Sequence, residues 1–197
     1  MKNIVLVLIS SLLTLSLVAS EPTHIIDVPV NVESSTVKWI GSKISENHEG
    51  SINIVKGALS IDHGKLAGGV VTIDMNSIKT TDMSEKYNKK LDSHLKNEDF
   101  FNVEEFPFAT ITILKAVKIE GNMYRVTADL TIKGITNQIG FYTDIKIRGA
   151  HYQATANIKI DRTKWNIKYN SGSFFKDLGD KIILDEIEFD VFLLSAK

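Results

Sequence analysis

The sequence contains no cysteine, and that absence removes several chemistries at once. No disulfide framework can staple the fold, so burial of apolar surface must stabilise it alone. Thiol nucleophiles, thiolate metal sites and a lipidated cysteine at a mature N-terminus are excluded by the same count. An excess of positive charge is missing too: 23 Lys and Arg stand against 24 Asp and Glu, with both signs mixed along the chain. No basic patch is visible that would attract phosphates or anionic lipid surfaces, and no nucleic acid partner is expected. No internal repeat, low-complexity tract or linker divides the chain.

A long hydrophobic run is also lacking. The apolar stretch from Ile4 to Val18 follows the single charge of Lys2 and is broken only by Ser and Thr. At about fifteen residues it falls short of the ~20 that span hydrocarbon, and no Lys or Arg cluster follows it. The layout is that of a secretory signal peptide, with cleavage expected near Ser20 after the small residues Ala19 and Ser20. Residues 1–20 are therefore read as a leader and 21–197 as one mature domain. A periplasmic or secreted location is expected, without stable membrane insertion.

What the chain does have is period-2 alternation. Tyr124, Val126, Ala128, Leu130 and Ile132 alternate with Arg125, Thr127, Asp129, Thr131 and Lys133. Similar runs follow at 138–148 and 151–161 and near the C-terminus at 186–193, and less regular ones at 36–45, 50–61, 66–78 and 108–119. Eight strands result, each with one dry and one wet face, as antiparallel sheets have. Asp62-His63-Gly64, Glu120-Gly121-Asn122 and Arg148-Gly149-Ala150 mark hairpin turns. Gly57 reads as a bulge and Gly68-Gly69 as a close backbone approach.

One segment changes period. Met83, Tyr87, Leu91 and Leu95 recur every four residues, which predicts a single helix between Asp82 and Asn97 with Asp82 and Glu85 as a capping box. Eight amphipathic strands with only one helix must bury their dry faces against each other, in a closed barrel or a two-sheet sandwich. Strand lengths of ten or more residues favour the barrel. The fold expected is thus all-β: an eight-stranded antiparallel barrel with one short helix between strands 3 and 4. Such a barrel either fills with its own side chains or holds one small ligand. Small residues on the dry face leave that choice open, because Ala128, Ala154 and Ala156 can simply face Phe141, Phe189 and Tyr152.

Ordered motifs then become recognisable. Trp39-Ile-Gly-Ser-Lys43, His48-Glu-Gly50, Gly69 with Ile73-Asp-Met75 and Ser77-Ile78, His94-Leu95-Lys96 with Asp99-Phe100-Phe101, Pro107, and Leu130-Thr-Ile-Lys-Gly-Ile-Thr136 come in sequence. Asp161-Arg162-Thr-Lys-Trp165, Tyr169 and Asp185-Glu-Ile187 follow. Together they resemble the YceI-like polyisoprenoid-binding family over almost the whole mature chain. That resemblance implies a lipocalin-like barrel whose bore takes up a long isoprenoid or a similar amphiphile such as a fatty amide. It implies no catalysis and no required cofactor beyond a bound lipid of quinone-like or polyprenyl type. Transport, storage or sequestration would all suit such a carrier.

Alternation assigns the apolar wall to Ile52, Ile54, Val71, Ile73, Ile111, Ile113, Val126, Ala128, Leu130, Phe141, Ile145, Ala154, Ala156, Ile158, Ile187, Phe189 and Val191. Polar residues placed to meet a headgroup, or to act only structurally, are His48, His94, Tyr124, Tyr152 and Tyr169. The five histidines lack zinc spacing, so no metal is expected. Ser93-x-x-Lys96 lacks the companion elements of a serine acyl enzyme. Asp161, Arg162 and the carboxylates Asp177, Asp180 and Asp185 read as a network fixing an irregular loop. Two other readings remain: an exported enzyme acting on lipid amides or isoprenoids with His48 or His94 as base, and a filled barrel. A homodimer covering the mouth is compatible with the sequence, although no contiguous exposed apolar stripe is apparent in it.

Overall fold

The computed structural model describes residues 24–196; the leader expected at 1–20 lies outside them. In chain order the strands are β1 (Ile25–Pro29), β2 (Thr36–Lys43), β3 (Asn47–Asp62) and β4 (Lys65–Thr80). Helix α1 (Glu85–Lys96) intervenes before β5 (Phe108–Glu120), β6 (Met123–Ile132), β7 (Ile135–Arg148), β8 (His151–Asp161) and β9 (Ile183–Leu194).

All ladders are antiparallel, and the order β3-β2-β9-β8-β7-β6-β5-β4 closes through a β3–β4 pairing. The result is an eight-position closed barrel. The extra strand does not add a ninth position. β1 pairs with β3 at Ala58–Asp62, while β2 pairs with β3 at Asn47–Ile52 and runs in the same direction. Val30 bridges Ser195 just past the end of β9. β1 and β2 are therefore one wall strand interrupted at residues 31–35, and α1 sits between the third and fourth wall positions.

Turn chemistry sets the hairpins. His63 and Gly64 (φ 46° and 73°), and Lys133 and Gly134 (φ 49° and 69°), occupy the left-handed region at both central positions, as two-residue hairpins with the twist of their strands require. Gly69 (φ 151°) marks the close approach expected there: a Cβ would lie 2.7 Å from the Ala58 carbonyl oxygen. Near Gly57 the β3–β4 register shifts between Ile54 and Lys56.

α1 lies on β4 by a narrower stripe than its sequence period suggests. Leu95 is buried and Leu91 packs on the core, whereas Tyr87 is exposed. The capping box does not form. Ser84 is the N-cap, with no side-chain capping bond; instead the Asn88 amide accepts from Met83 N and donates to Met83 O, both at 3.1 Å. Asp82 is drawn to His48. Asp92 fastens the helix, accepting from the amide and the hydroxyl of the buried Thr80, each at 2.6 Å.

Candidate functional site: an apolar bore with one open end

The two ends of the barrel differ. At the hairpin end, where β3–β4, β5–β6 and β7–β8 turn, the interior is filled by Val28, Ile61, Tyr124 and Tyr152, all at most 5% exposed. At the other end lie the β2–β3 turn, α1, and the irregular segment 162–182 leading into β9. Between them the bore holds a cavity of about 230 Å³, larger than the ~150 Å³ apolar hollow that stays dry yet accepts a benzene ring.

Sixteen of the seventeen residues that alternation assigns to the wall line this cavity. Ala128 is the exception: it is fully buried within the packed sheet and does not reach the hollow. Ala154 and Ala156 do line it, beside Phe141 and Phe189, so the small residues contribute open space. Further wall comes from Val37 and Trp39, and from Phe100 and Phe101 of the loop after α1. The β2 pair continues an alternating run and was legible in principle. No periodicity marks the two phenylalanines.

Polar groups gather at the open end. Ser42, Lys43, His48 and His94 line the cavity there, together with Leu91, Ile183 and Leu184. Lys43 donates to Glu46 at 2.6 Å and holds that carboxyl below its usual range. His48 Nδ1 is 2.9 Å from Asp82 Oδ2, and its Nε2 is 3.9 Å from Glu46 Oε1. His94 sits edge-on to Phe100 and to Tyr169, with centroids 5.7 and 4.5 Å away. His94 and Tyr169 therefore meet, and His48 lines the same cavity as His94. Tyr124 and Tyr152 lie at the opposite, filled end and do not line the cavity; alternation gives the facing of a residue but not which end of the barrel is plugged. Among the described residues no three His, Asp or Glu side chains are grouped as a metal site.

The irregular segment is held from inside. Arg162 is fully buried and donates to the carbonyls of Leu184, Ile167 and Ile183 at 3.1, 2.7 and 3.0 Å, with Asp185 3.4 Å away. Trp165, also fully buried, donates its indole N–H to Leu130 O at 3.0 Å. Asp161 caps the short 3-10 helix Arg162–Trp165 by accepting from Thr163. The network read from the sequence thus positions the residues that frame the mouth; of its carboxylates, Asp161 and Asp185 take part in these contacts.

Known proteins agree with this architecture. The chain is 30% identical over 141 residues to a UPF0312 protein of Pectobacterium atrosepticum, covering 66% of this chain and 68% of that protein. It is 33% identical over 98 residues to one of Photorhabdus laumondii, covering 46% and 47%. The chain spans about half the length of several curated relatives it matches. Among solved structures, Burkholderia cenocepacia BcnA superposes with TM-score 0.69 at 24% identity, over 85% of this chain and 99% of that one. A polyisoprenoid binding domain from Saccharophagus degradans, implicated in plant cell wall breakdown, superposes with TM-score 0.64 at 14% identity, over 88% and 98%. At these identities the superpositions establish the fold. The YceI-like domain model matches residues 29–193, and the chain belongs to the YceI-like family.

Proposed function

We propose that this protein is an exported binding protein that holds the chain of a long isoprenoid or similar amphiphilic lipid in its bore, with the headgroup among Ser42, His48 and His94 at the mouth. The observation that carries this reading is the apolar cavity, plugged by Tyr124 and Tyr152 at one end and lined by Ser42, Lys43, His48, His94 and Arg162 toward the other. A headgroup in water and a chain in hydrocarbon have the same polarity gradient.

The energetics suit such a ligand. Burying about twenty isoprenoid carbons at ~0.8 kcal/mol each gives roughly 16 kcal/mol gross. Association costs on the order of 4 to 15 kcal/mol, so micromolar or tighter binding needs no charged contact. The two cations that line the cavity are engaged: Lys43 by Glu46, and Arg162 by three carbonyls and Asp185. That favours an uncharged hydrogen-bonding headgroup, such as a hydroxyl, quinone carbonyl or amide, over a phosphate. Export rests on the signal-like residues 1–20 and places the protein in the periplasm or outside the cell.

Organic extraction of the purified protein followed by mass spectrometry tests the reading. A bound polyprenyl or fatty-chain lipid, with uptake of isoprenoid quinone by delipidated protein, is the expected result. No bound lipid and no uptake would end it.

A further inference from the structure

The floor of the bore is built from the same strand faces that form its wall. Ala154 on β8 and Val126 on β6 line the cavity, and the next inward positions toward the hairpin end are Tyr152 and Tyr124, each 2% exposed. On β3 the lining residue Leu59 is followed in the same way by Ile61, also 2% exposed. Two phenol rings and an isoleucine therefore close the bore one inward step beyond these lining residues. Above Tyr152 on its own strand stands only the methyl group of Ala154.

The floor is also anchored. The Tyr152 amide donates to Ser195 Oγ at 3.1 Å, and its carbonyl accepts from the Ser195 amide at 3.0 Å, which ties the start of β8 to the residue after β9. Tyr124 is held between two ladders, opposite Lys118 of β5 and Thr143 of β7.

We propose that Tyr124 and Tyr152 set the length of the isoprenoid chain that the bore accepts, as the stop against which its far end rests. The proposal rests on the lipid-binding reading and selects by length among chains of one chemistry. One inward step along a strand is two residues, about 6.6 Å, which a tilt of roughly 40° reduces to about 5 Å along the barrel axis. An isoprenoid unit advances by four zigzag bonds of about 1.5 Å, which is also about 5 Å. One inward position of the wall therefore corresponds to one unit of the chain. β3 lines the cavity from His48 to Leu59, with one extra residue where its register shifts between Ile54 and Lys56. That is about five steps, so the bore takes about five units. A longer chain has no straight continuation. It must leave units in water at the His48 end, fold back, or pass sideways where the β4–β5 ladder ends at Gly69 and Ile113.

The test is a length series of prenols, from geraniol through farnesol and geranylgeraniol to solanesol, delivered in ethanol to delipidated protein. Binding is followed by the emission of Trp39, which lines the cavity. Affinity should rise ~tenfold or more with each added unit until the chain meets the floor, and gain nothing beyond that length. Tyr152→Ala opens the next step and should move the break to a chain one unit longer. Ala154→Leu raises the floor and should move it to a chain one unit shorter, which keeps the test decisive where the first variant does not fold. A break that stays in place in a folded variant, or affinity that keeps rising to solanesol, would overturn the length stop while leaving lipid binding intact. Failure of every prenol to bind the wild type would remove both.

Discussion

Arg162 Nε donates to the carbonyl of Leu184 at 3.1 Å, so a fully buried guanidinium fixes the backbone of a residue on the cavity rim. Removing the donor leaves three carbonyls and Asp185 without their partner in a dry place. Arg162→Leu is expected to cost about 3–5 kcal/mol, measured by denaturant unfolding, with accelerated amide exchange concentrated in residues 166–185.

Gly50 is packed where no side chain fits. A Cβ there would fall onto the Lys79 carbonyl and within 2.7 Å of the Trp39 ring. Gly50→Ala should therefore destabilise by ~3 kcal/mol or more through overpacking at the β2–β3–β4 junction. The unfolding midpoint checks it, as does a change in the tryptophan emission maximum.

Ala156 lines the cavity opposite Val191 and Thr143. Ala156→Phe should fill part of the bore: stability falls by no more than about 1–3 kcal/mol, whereas affinity for a polyprenyl probe falls ~tenfold or more. Equal binding by this variant would show that the chain does not occupy the hollow.

Tyr152 is 2% exposed, and its hydroxyl has no hydrogen-bond partner among the described residues. Burial pushes the phenol above its ordinary value. The native state therefore keeps its proton where the unfolded chain has lost it. The associated stability is complete below the unfolded value of about 10 and is lost as pH rises from there through the raised folded value. Tyr152→Phe should remove that alkaline loss. At neutral pH the variant should match the wild type or exceed it by ~1 kcal/mol, since an unsatisfied buried hydroxyl is deleted. Paired denaturation curves at neutral and alkaline pH measure both effects.

Strand positions and facings were legible because a strand that packs on one face must alternate, whatever its partners. The run from Tyr124 to Ile132 matches β6 to within one residue at each end, and the helix is found inside its expected bounds. β1 was missed because five residues from Ile25 to Pro29 complete a gap above β2, a role that only the closed barrel defines. The capping box failed for a similar reason: Asp82 has a distant partner, His48, 34 positions earlier. Among the site residues, alternation gave the inward facing of the sixteen wall positions that line the cavity but could not separate Tyr169, beside His94, from Tyr152 at the plug.

The sequence by itself determined an antiparallel β structure with one helix, no thiol chemistry, and the greasy inward face, since these follow from composition and from the two-residue repeat of a pleated chain. Only the tertiary structure decided that the bore is partly empty, which end Tyr124 and Tyr152 plug, and which polar side chains collect at the other. Those properties depend on how far opposite walls stand apart and on which loops meet in space, and neither distance is encoded in the local order of residues.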